Sequence, residues 1–201
     1  MSKTALVQLA AGNGNRCGGD KLSECYQGKT LFEHSAGVYS EIDFCYKVLV
    51  AREKDLTSLQ PIACYYDEIV FNPHPEDGIS SSIRYGIDAV LCSDAYQKGE
   101  MDSVLFSVSD QPNLKTETIK KILTKKDNEE GKIIAPRTKS GKRGNPVLFP
   151  VSFLSELYQL QGDTGGNMVI KKHPELLRIV ETDDSELFDV DRKEDIKGIC
   201  P

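Results

Sequence analysis

The sequence predicts an α/β fold: a single Rossmann-like, three-layer domain with a mostly parallel sheet. Apolar runs of strand length alternate with helical patterns, which is typical of parallel strands covered by helices on both faces. A length of 201 residues suits one such domain, and the chain contains neither an internal repeat nor a low-complexity linker. We therefore treat residues 1–201 as a single domain.

The expected strands are short apolar runs, and the expected helices have apolar residues at helical spacing. Strands are expected at positions 4–9, 46–51, 68–71, 103–108, 132–135 and 177–180. Helices are expected at positions 31–40, 80–92, 116–125, 150–160, 167–173 and 192–196. Because ligands of such sheets bind beyond the carboxyl ends of the strands, residues that follow the first and fourth strands are the first candidates for a site.

The composition disfavours several classes of function. A formal net charge of −6 argues against a nucleic-acid partner, which requires a basic face. The six cysteines are scattered without a C-x-x-C pair, and this disfavours zinc sites, iron–sulfur sites and a disulfide framework. The sequence has neither a charged-then-apolar leader nor an apolar span of membrane length, so we expect a soluble, cytoplasmic protein without a membrane partner.

The segment after the first strand is rich in glycine and positively charged. Residues 9–14 read L-A-A-G-N-G, and Arg16 and Lys21 follow in the same loop. Glycine lets the backbone approach phosphates closely and turn its N–H groups toward them, while the two basic side chains add charge. This combination predicts a site for a nucleoside triphosphate; the alternative is a flexible surface loop.

Two common nucleotide motifs do not fit this loop. The dinucleotide fingerprint G-x-G-x-x-G begins at Gly12 but has Cys17 in place of its third glycine. The end of a Walker A loop is present at positions 28–30, but Ser23 occupies its first glycine position and no strand precedes it. Both motifs are therefore excluded.

A second candidate segment follows the strand at 103–108. Asp110 stands just beyond this strand, and Pro112 ends the strand pairing, so the carboxylate is expected at the same sheet edge as Gly12. Mg²⁺ takes one or two carboxylates and fills its other positions with water and phosphate oxygens. Asp110 is therefore predicted to bind Mg²⁺; the alternative is a turn or N-cap aspartate before the helix at 116–125.

Taken together, these segments resemble the signature of nucleotidyltransferases that load CTP, GTP, UTP or dTTP onto a phosphorylated acceptor. The first loop fits L-A-A-G-x-x-x-R-x-G-x-x-K, and S-D-Q-P at 109–112 is similar to an element of the molybdenum-cofactor cytidylyltransferase-like branch. Asn145 and Asn167 depart from that branch, which typically has His and Arg there. Further segments match the branch in order along nearly the whole chain: 28–34, 78–87, 143–149, 162–166 and 189–196.

The resemblance implies the nucleotide-diphospho-sugar transferase type of fold and a role for individual residues. Arg16 is expected to offset charge on the leaving pyrophosphate, Lys21 to contact the transferred phosphate, and Asp110 to complete the catalytic set. Asp110 and Asp191 are the expected ligands of Mg²⁺. The expected nucleotide-binding residues are Leu9, Ala10, Ala11, Gly12, Gly14, Arg16, Lys21, Gly78, Ser80 and Ser82. The expected acceptor-binding residues are Gly144, Asn145, Pro146 and Asp163.

Some of these assignments compete with ordinary structural ones. A serine before an apolar helical run is a common N-cap, so one of the serines at 80–82 is explained without contact to a base. Asp191 forms a group with Asp189 and Asp195, which can equally be a solvated, helix-capping cluster.

The leading functional interpretation is transfer of CMP from CTP to the phosphate of molybdopterin, for a molybdenum hydroxylase as recipient. Ala11 favours cytosine because guanylyl-transferring relatives typically read L-A-G-G at positions 9–12. The alternatives are a molybdopterin guanylyltransferase, which uses GTP, and another phosphate-acceptor cytidylyltransferase. An alternative of another class is a non-enzymatic protein that holds the nucleotide or cofactor during hydroxylase maturation.

Overall fold

The computed structural model describes residues 2–12, 21–190 and 195. The strands are β1 (Thr4–Leu9), β2 (Cys25–Tyr26), β3 (Lys29–Thr30), β4 (Tyr46–Ala51), β5 (Glu68–Phe71), β6 (Ser103–Val108), β7 (Ile133–Thr138), β8 (Val147–Pro150) and β9 (Leu177–Thr182). The α-helices are α1 (Leu31–Ser40), α2 (Leu56–Leu59), α3 (Ile79–Cys92), α4 (Asp94–Gln97), α5 (Thr116–Asn128), α6 (Leu154–Tyr158) and α7 (Asn167–Lys172). In the part of the chain so described, no helix is long and apolar enough to cross a membrane.

A seven-stranded sheet in the order β5-β4-β1-β6-β8-β7-β9 forms the centre of the molecule. β1 pairs in parallel with β4 on one side and with β6 on the other. β8 is antiparallel to both of its neighbours, β6 and β7, whereas β9 pairs in parallel with β7. The predicted α/β class with a mostly parallel sheet is thereby confirmed.

Helices cover both faces of the sheet. On one face α3 packs over Val7 and Val50, with α6 and α7 beside it. On the other face α1 and α5 cover Leu6, Leu105 and Ile134. All six residues of β1 are buried, as expected of a central parallel strand whose two faces are both covered.

The hairpin of β2 and β3 leads directly into α1 through a capping box. The Thr30 hydroxyl accepts from the backbone N–H of Glu33 at 3.1 Å, and the Glu33 carboxylate accepts from the backbone N–H of Thr30 at 2.7 Å. The two bonds satisfy N–H groups that would otherwise lack a partner at the helix start. They fix the residue at which α1 begins.

The predicted bounds of helices and strands agree best with the observed ones where an apolar run is continuous. The strands at 4–9, 46–51, 68–71 and 103–108 and the helix at 31–40 have the predicted bounds. The helix predicted at 116–125 continues to Asn128, and the strands predicted at 132–135 and 177–180 continue to Thr138 and Thr182.

One predicted helix is wrong at its beginning. Residues 150–160 were expected to be helical, but Pro150 ends β8, a 3-10 turn covers Val151–Phe153, and α6 begins at Leu154. The proline ring prevents Pro150 from donating a backbone hydrogen bond, and the residue is tolerated at the strand end. The helix predicted at 192–196 lies outside the described residues except for Asp195.

We predict that Gly86→Ala lowers the free energy of unfolding, because α3 crosses β1 without room for a methyl group. A Cβ atom at Gly86 would lie 2.4 Å from Cγ1 of Val7, a fully buried and stiff side chain. Overpacking of this kind costs ~1–3 kcal/mol, measurable by urea denaturation. Gly37→Ala on the exposed side of α1 is the matched control, since nothing lies within 4 Å of its Cβ position.

The control is expected to be stabilising by ~0.5–1 kcal/mol, the ordinary difference between alanine and glycine in a helix. Equal effects of the two substitutions would contradict the tight α3–β1 contact.

Candidate active site

A cavity of about 870 Å³ opens at the carboxyl edge of β1, β4 and β6. One side is formed by residues 9–12 at the end of β1, and the opposite side by Gly78, Ile79 and Ser82 at the start of α3. Asp110 and Lys21 lie between these two sides. The cavity therefore brings together segments that are far apart in the sequence, at the edge where such sheets bind ligands.

The end of β1 contributes four predicted residues to the cavity, which are Leu9, Ala10, Ala11 and Gly12. The pairing of the strands continues past their ends, because Ala10 donates to the Val50 carbonyl at 2.7 Å and Ser109 donates to the Leu9 carbonyl at 3.1 Å. The two alanines are buried, and within the described residues no atom beyond the adjacent ones in the chain lies within 4 Å of the position that a Cβ of Gly12 would take. Gly14 and Arg16 lie outside the described residues.

Lys21 and Asp110 form an ion pair inside the cavity. Lys21 Nζ donates to Asp110 Oδ2 at 2.9 Å, and the side chains retain 13% and 27% of their exposure. Lys21 begins a 3-10 turn that ends at Ser23, while Asp110 follows β6. Lys115, not Asp110, is the N-cap of α5, so the helix-capping alternative for Asp110 is wrong.

The surroundings of Asp110 act on its charge in opposite directions. Burial raises the pKa of the Asp110 carboxyl above its ordinary value, whereas the ammonium group of Lys21 lowers it. The negative charge of Asp189 adds to the increase. The pKa is raised in sum, so the Asp110 carboxylate is less well stabilised than it would be in water and gains from any further cation.

The carboxyl-terminal segment returns to Asp110. The backbone N–H of Val190 donates to the Asp110 carbonyl at 2.9 Å. Asp189 accepts from Gln111 Nε2 at 2.8 Å and from Lys142 Nζ at 3.2 Å. Among the described residues, the buried amide oxygen of Gln111 has no hydrogen-bond partner. Asp191, the second expected metal ligand, lies outside the described residues.

The structure adds Arg52, which the sequence analysis did not select. Its guanidinium donates twice to the Asp55 carboxylate, at 2.7 and 2.9 Å, and once to the Gly12 carbonyl at 3.3 Å. Arg52 is 6% exposed and lines the cavity directly after β4. The sequence signal that could have identified it is a basic residue directly after a buried strand. In the structure, Arg52 links Gly12 to the end of β4.

The wall formed by α3 depends on Gly78. Its φ of +85° is in the region that favours glycine, and a Cβ there would lie 2.5 Å from the carbonyl carbon of Gly162. The close approach lets the N–H of Ser80 donate to the Gly162 carbonyl at 3.3 Å. Gly78 is also the N-cap of α3, so the serine N-cap alternative is wrong.

Only one of the two predicted serines faces the cavity. Ser82 is among the lining residues, and its hydroxyl accepts from Asn72 Nδ2 at 3.0 Å. Ser80 is fully buried and is not among the lining residues, and its hydroxyl has no partner in the described part of the protein.

A second, smaller cavity of about 280 Å³ lies beside the first. It contains Gly144 and Asn145 and is otherwise lined mainly by apolar side chains. Both cavities share Leu9, Ile79 and Val108.

The expected acceptor residues are thus divided between the two cavities. Asp163 lines the larger cavity and Pro146 is among the lining residues of neither, although its neighbour Asn145 lines the smaller one. Arg143 and Asn167, at the rim of the smaller cavity, form a hydrogen bond between guanidinium and amide oxygen. In residues 2–12, 21–190 and 195, no group of three or more His, Cys, Asp or Glu side chains is placed to hold a metal ion.

The backbone is similar to several solved structures. Rv0371c from Mycobacterium tuberculosis H37Rv has 21% identity and a TM-score of 0.78, with 96% of this chain and 95% of that chain covered. Another structure of Rv0371c is a complex with manganese. At such low identity these likenesses establish the fold alone.

Two further structures extend the comparison. The 4-diphosphocytidyl-2C-methyl-D-erythritol synthase from Anaerococcus prevotii DSM 20548 has 16% identity and a TM-score of 0.73, with 96% and 92% of the chains covered. The molybdopterin-guanine dinucleotide biosynthesis protein A from Archaeoglobus fulgidus has 18% identity and a TM-score of 0.62, with 96% and 95% covered. No curated protein sequence matches the chain significantly.

The sequence itself identifies the family. The family model described as MobA-like NTP transferase domain matches residues 6–176, which include both Lys21 and Asp110. The matched range covers most of the chain and all of the described cavity lining. The chain therefore belongs to the MobA-like NTP transferase family and is a nucleotidyltransferase.

Proposed function

We propose that this nucleotidyltransferase moves CMP from CTP to the phosphate of a molybdopterin-type acceptor and releases pyrophosphate. The observation that carries the proposal is the Lys21–Asp110 pair, held between the glycine loop and the start of α3. A cation and a carboxylate at the floor of one cavity suit phosphoryl chemistry, in which the protein mainly positions groups and neutralises charge. A protein that only held the nucleotide would have less need of both groups.

In the proposed reaction an oxygen of the acceptor phosphate attacks the α-phosphorus of CTP. The bond from that phosphorus to the bridging oxygen breaks, and pyrophosphate leaves with the electron pair. Lys21 would contact the transferred phosphate, and Arg16 would offset the charge that develops on pyrophosphate. The backbone at residues 11–14 would hold the ribose and phosphates, because glycine permits close approach.

The residues around Asp110 fit a divalent cation of the Mg²⁺ type. They offer a carboxylate at a strand end, a second carboxylate at Asp189, and a buried amide oxygen on Gln111 to which no described residue donates. Mg²⁺ prefers such hard oxygen ligands and needs only one or two carboxylates from the protein. Asp110 and Asp191 would hold the ion, which supplies charge neutralisation for the triphosphate. The manganese complex of Rv0371c supports the use of a divalent cation in this fold.

The base and the acceptor are assigned to opposite ends of the site. Ala11, Gly78 and Ser82 would contact cytosine, because these residues line the larger cavity and not the smaller one. The acceptor would occupy the smaller cavity beside Gly144 and Asn145. Molybdopterin is favoured by the family resemblance and by the molybdopterin-guanine dinucleotide protein among the similar structures.

We predict that Lys21→Ala lowers kcat strongly and leaves the fold intact, since Lys21 lines a cavity and its ion pair is with another site residue, Asp110. Loss of one charge that stabilises a transition state costs ~2–4 kcal/mol of barrier. The measurement is pyrophosphate release from CTP with molybdopterin, together with a thermal unfolding curve. Lys29→Ala, at an exposed position on β3, serves as the control. Turnover by Lys21→Ala near the wild-type rate would rule out the assigned role.

Asp110→Asn should weaken Mg²⁺-dependent turnover more than Asp191→Asn does. The amide keeps the shape of the carboxylate but removes the charge that attracts a divalent ion. Neutralising Asp110 should not destabilise the fold, because burial already disfavours its charged form. Activity measured across a Mg²⁺ titration tests which of the two variants is more strongly affected. Small, equal effects would indicate that both residues have only structural roles.

The wild-type protein should have a higher kcat/KM for CTP than for GTP, and Ala11→Gly should narrow that difference. Ala11 is buried at the cavity wall, so its methyl group leaves less room for a purine than glycine does. A single methyl group changes discrimination by only ~1–3 kcal/mol, so selectivity is relaxed but not reversed. A wild-type preference for GTP would replace the cytidylyl assignment with a guanylyl one.

A further inference from the structure

We propose that Asn72, a residue without an assigned role, determines the base specificity by fixing the direction of the Ser82 hydroxyl. The arrangement makes Ser82 a hydrogen-bond donor toward the cavity, and such a donor selects cytosine over uracil. The inference rests on the proposed function, since it concerns the base of the same nucleotide.

The orientation of the Asn72 amide is fixed by its neighbours. Asn72 directly follows β5 and is 2% exposed. Its Oδ1 accepts from the backbone N–H of His74 at 2.9 Å and from the Ser81 hydroxyl at 3.0 Å. A backbone N–H can only donate, so the atom facing it must be the amide oxygen. The amide nitrogen therefore points the other way, toward Ser82.

With the amide in this orientation, the Ser82 hydroxyl can only accept a hydrogen bond from Asn72. Asn72 Nδ2 donates to Ser82 Oγ at 3.0 Å, and an amide nitrogen has no capacity to accept. The proton of the Ser82 hydroxyl is consequently not used in that contact. No acceptor for it occurs among the described residues, and Ser82 lines the larger cavity. The hydroxyl can therefore donate to a bound ligand.

The two pyrimidine bases respond to a donor in opposite ways. Cytosine presents N3 as an acceptor, whereas uracil presents an N3–H group that can only donate. The Ser82 hydroxyl can donate its proton to cytosine N3. With uracil its remaining lone pair can accept from N3–H, but the hydroxyl proton is then left without an acceptor. An unpaired donor at a buried position is costly, so a site built for one partner rejects its isostere.

The experiment measures the dissociation constants of CTP and UTP by isothermal titration calorimetry with Mg²⁺ at pH 8, which requires no acceptor. In Asn72→Asp the group that faces Ser82 becomes a carboxylate oxygen, so the Ser82 hydroxyl turns to donate to it and presents its lone pairs to the cavity. We expect the preference for CTP over UTP to fall ~10- to 100-fold, the effect of one mismatched donor. Ser82→Ala, which removes the hydroxyl, should also reduce the preference.

Ser81→Ala is the matched control. It removes a hydroxyl from the same network but leaves the His74 N–H to hold the amide oxygen, so the ratio of the two constants should stay at the wild-type value. A purely structural role of Asn72 would weaken both nucleotides equally. Thermal unfolding identifies any variant that does not fold. If Asn72→Asp does not fold, the ratio of the CTP and UTP dissociation constants in Ser82→Ala tests the inference instead.

The outcomes separate the two proposals. A wild type that binds CTP in preference to UTP, with an unchanged ratio in Asn72→Asp and Ser82→Ala, overturns the inference and leaves the proposed function standing. Equal wild-type affinity for CTP and UTP also overturns the inference and leaves the proposed function standing. A wild type that binds neither pyrimidine nucleotide overturns the proposed cytidylyl function and, with it, this assignment of Asn72.

Discussion

The parallel pairing of β1 with both β4 and β6 is the constraint on which the site depends. Leu9 lies level with Val50 on one side and with Val108 on the other, so the three strands end within one residue of each other. Ala10, Arg52 and Asp110, which lie one or two residues beyond these ends, therefore emerge along one edge. A shift of either register would move a strand end by more than 3 Å per residue and separate these groups.

The charged side chains at this edge are tied into hydrogen bonds and ion pairs with neighbouring groups. Asp110 has Lys21 on one side and Asp189 on the other, and Asp189 is itself shared between Gln111 and Lys142. Arg52 is held by Asp55 and also donates to the Gly12 carbonyl. Such balanced networks hold charged groups in fixed positions before a ligand arrives, which lowers the reorganisation that binding requires.

The sequence predicted the strands next to the site well because they are continuous apolar runs, and it predicted Lys21 and Asp110 because their spacing matches a family pattern. β8 was missed because its short run lies between Pro146 and Pro150, which read as loop and helix signals. Arg52 and Asn72 were missed for another reason. Their importance lies in contacts with Gly12 and Ser82, and no local pattern encodes such pairings. The serine N-cap failed because Gly78 must approach Gly162.

The antiparallel direction of β8 has a consequence for how this protein could diversify. The strand starts, rather than ends, at the edge where β1 and β6 end, so the smaller cavity is bounded by the loop that enters β8. The two cavities thus draw mostly on different parts of the chain, with Leu9, Ile79 and Val108 as their common boundary. Insertions or substitutions before β8 can alter what the smaller cavity accepts while the amino-terminal half keeps its geometry. The amino-terminal half, which supplies most of the larger cavity, can therefore stay unchanged while the segment before β8 varies.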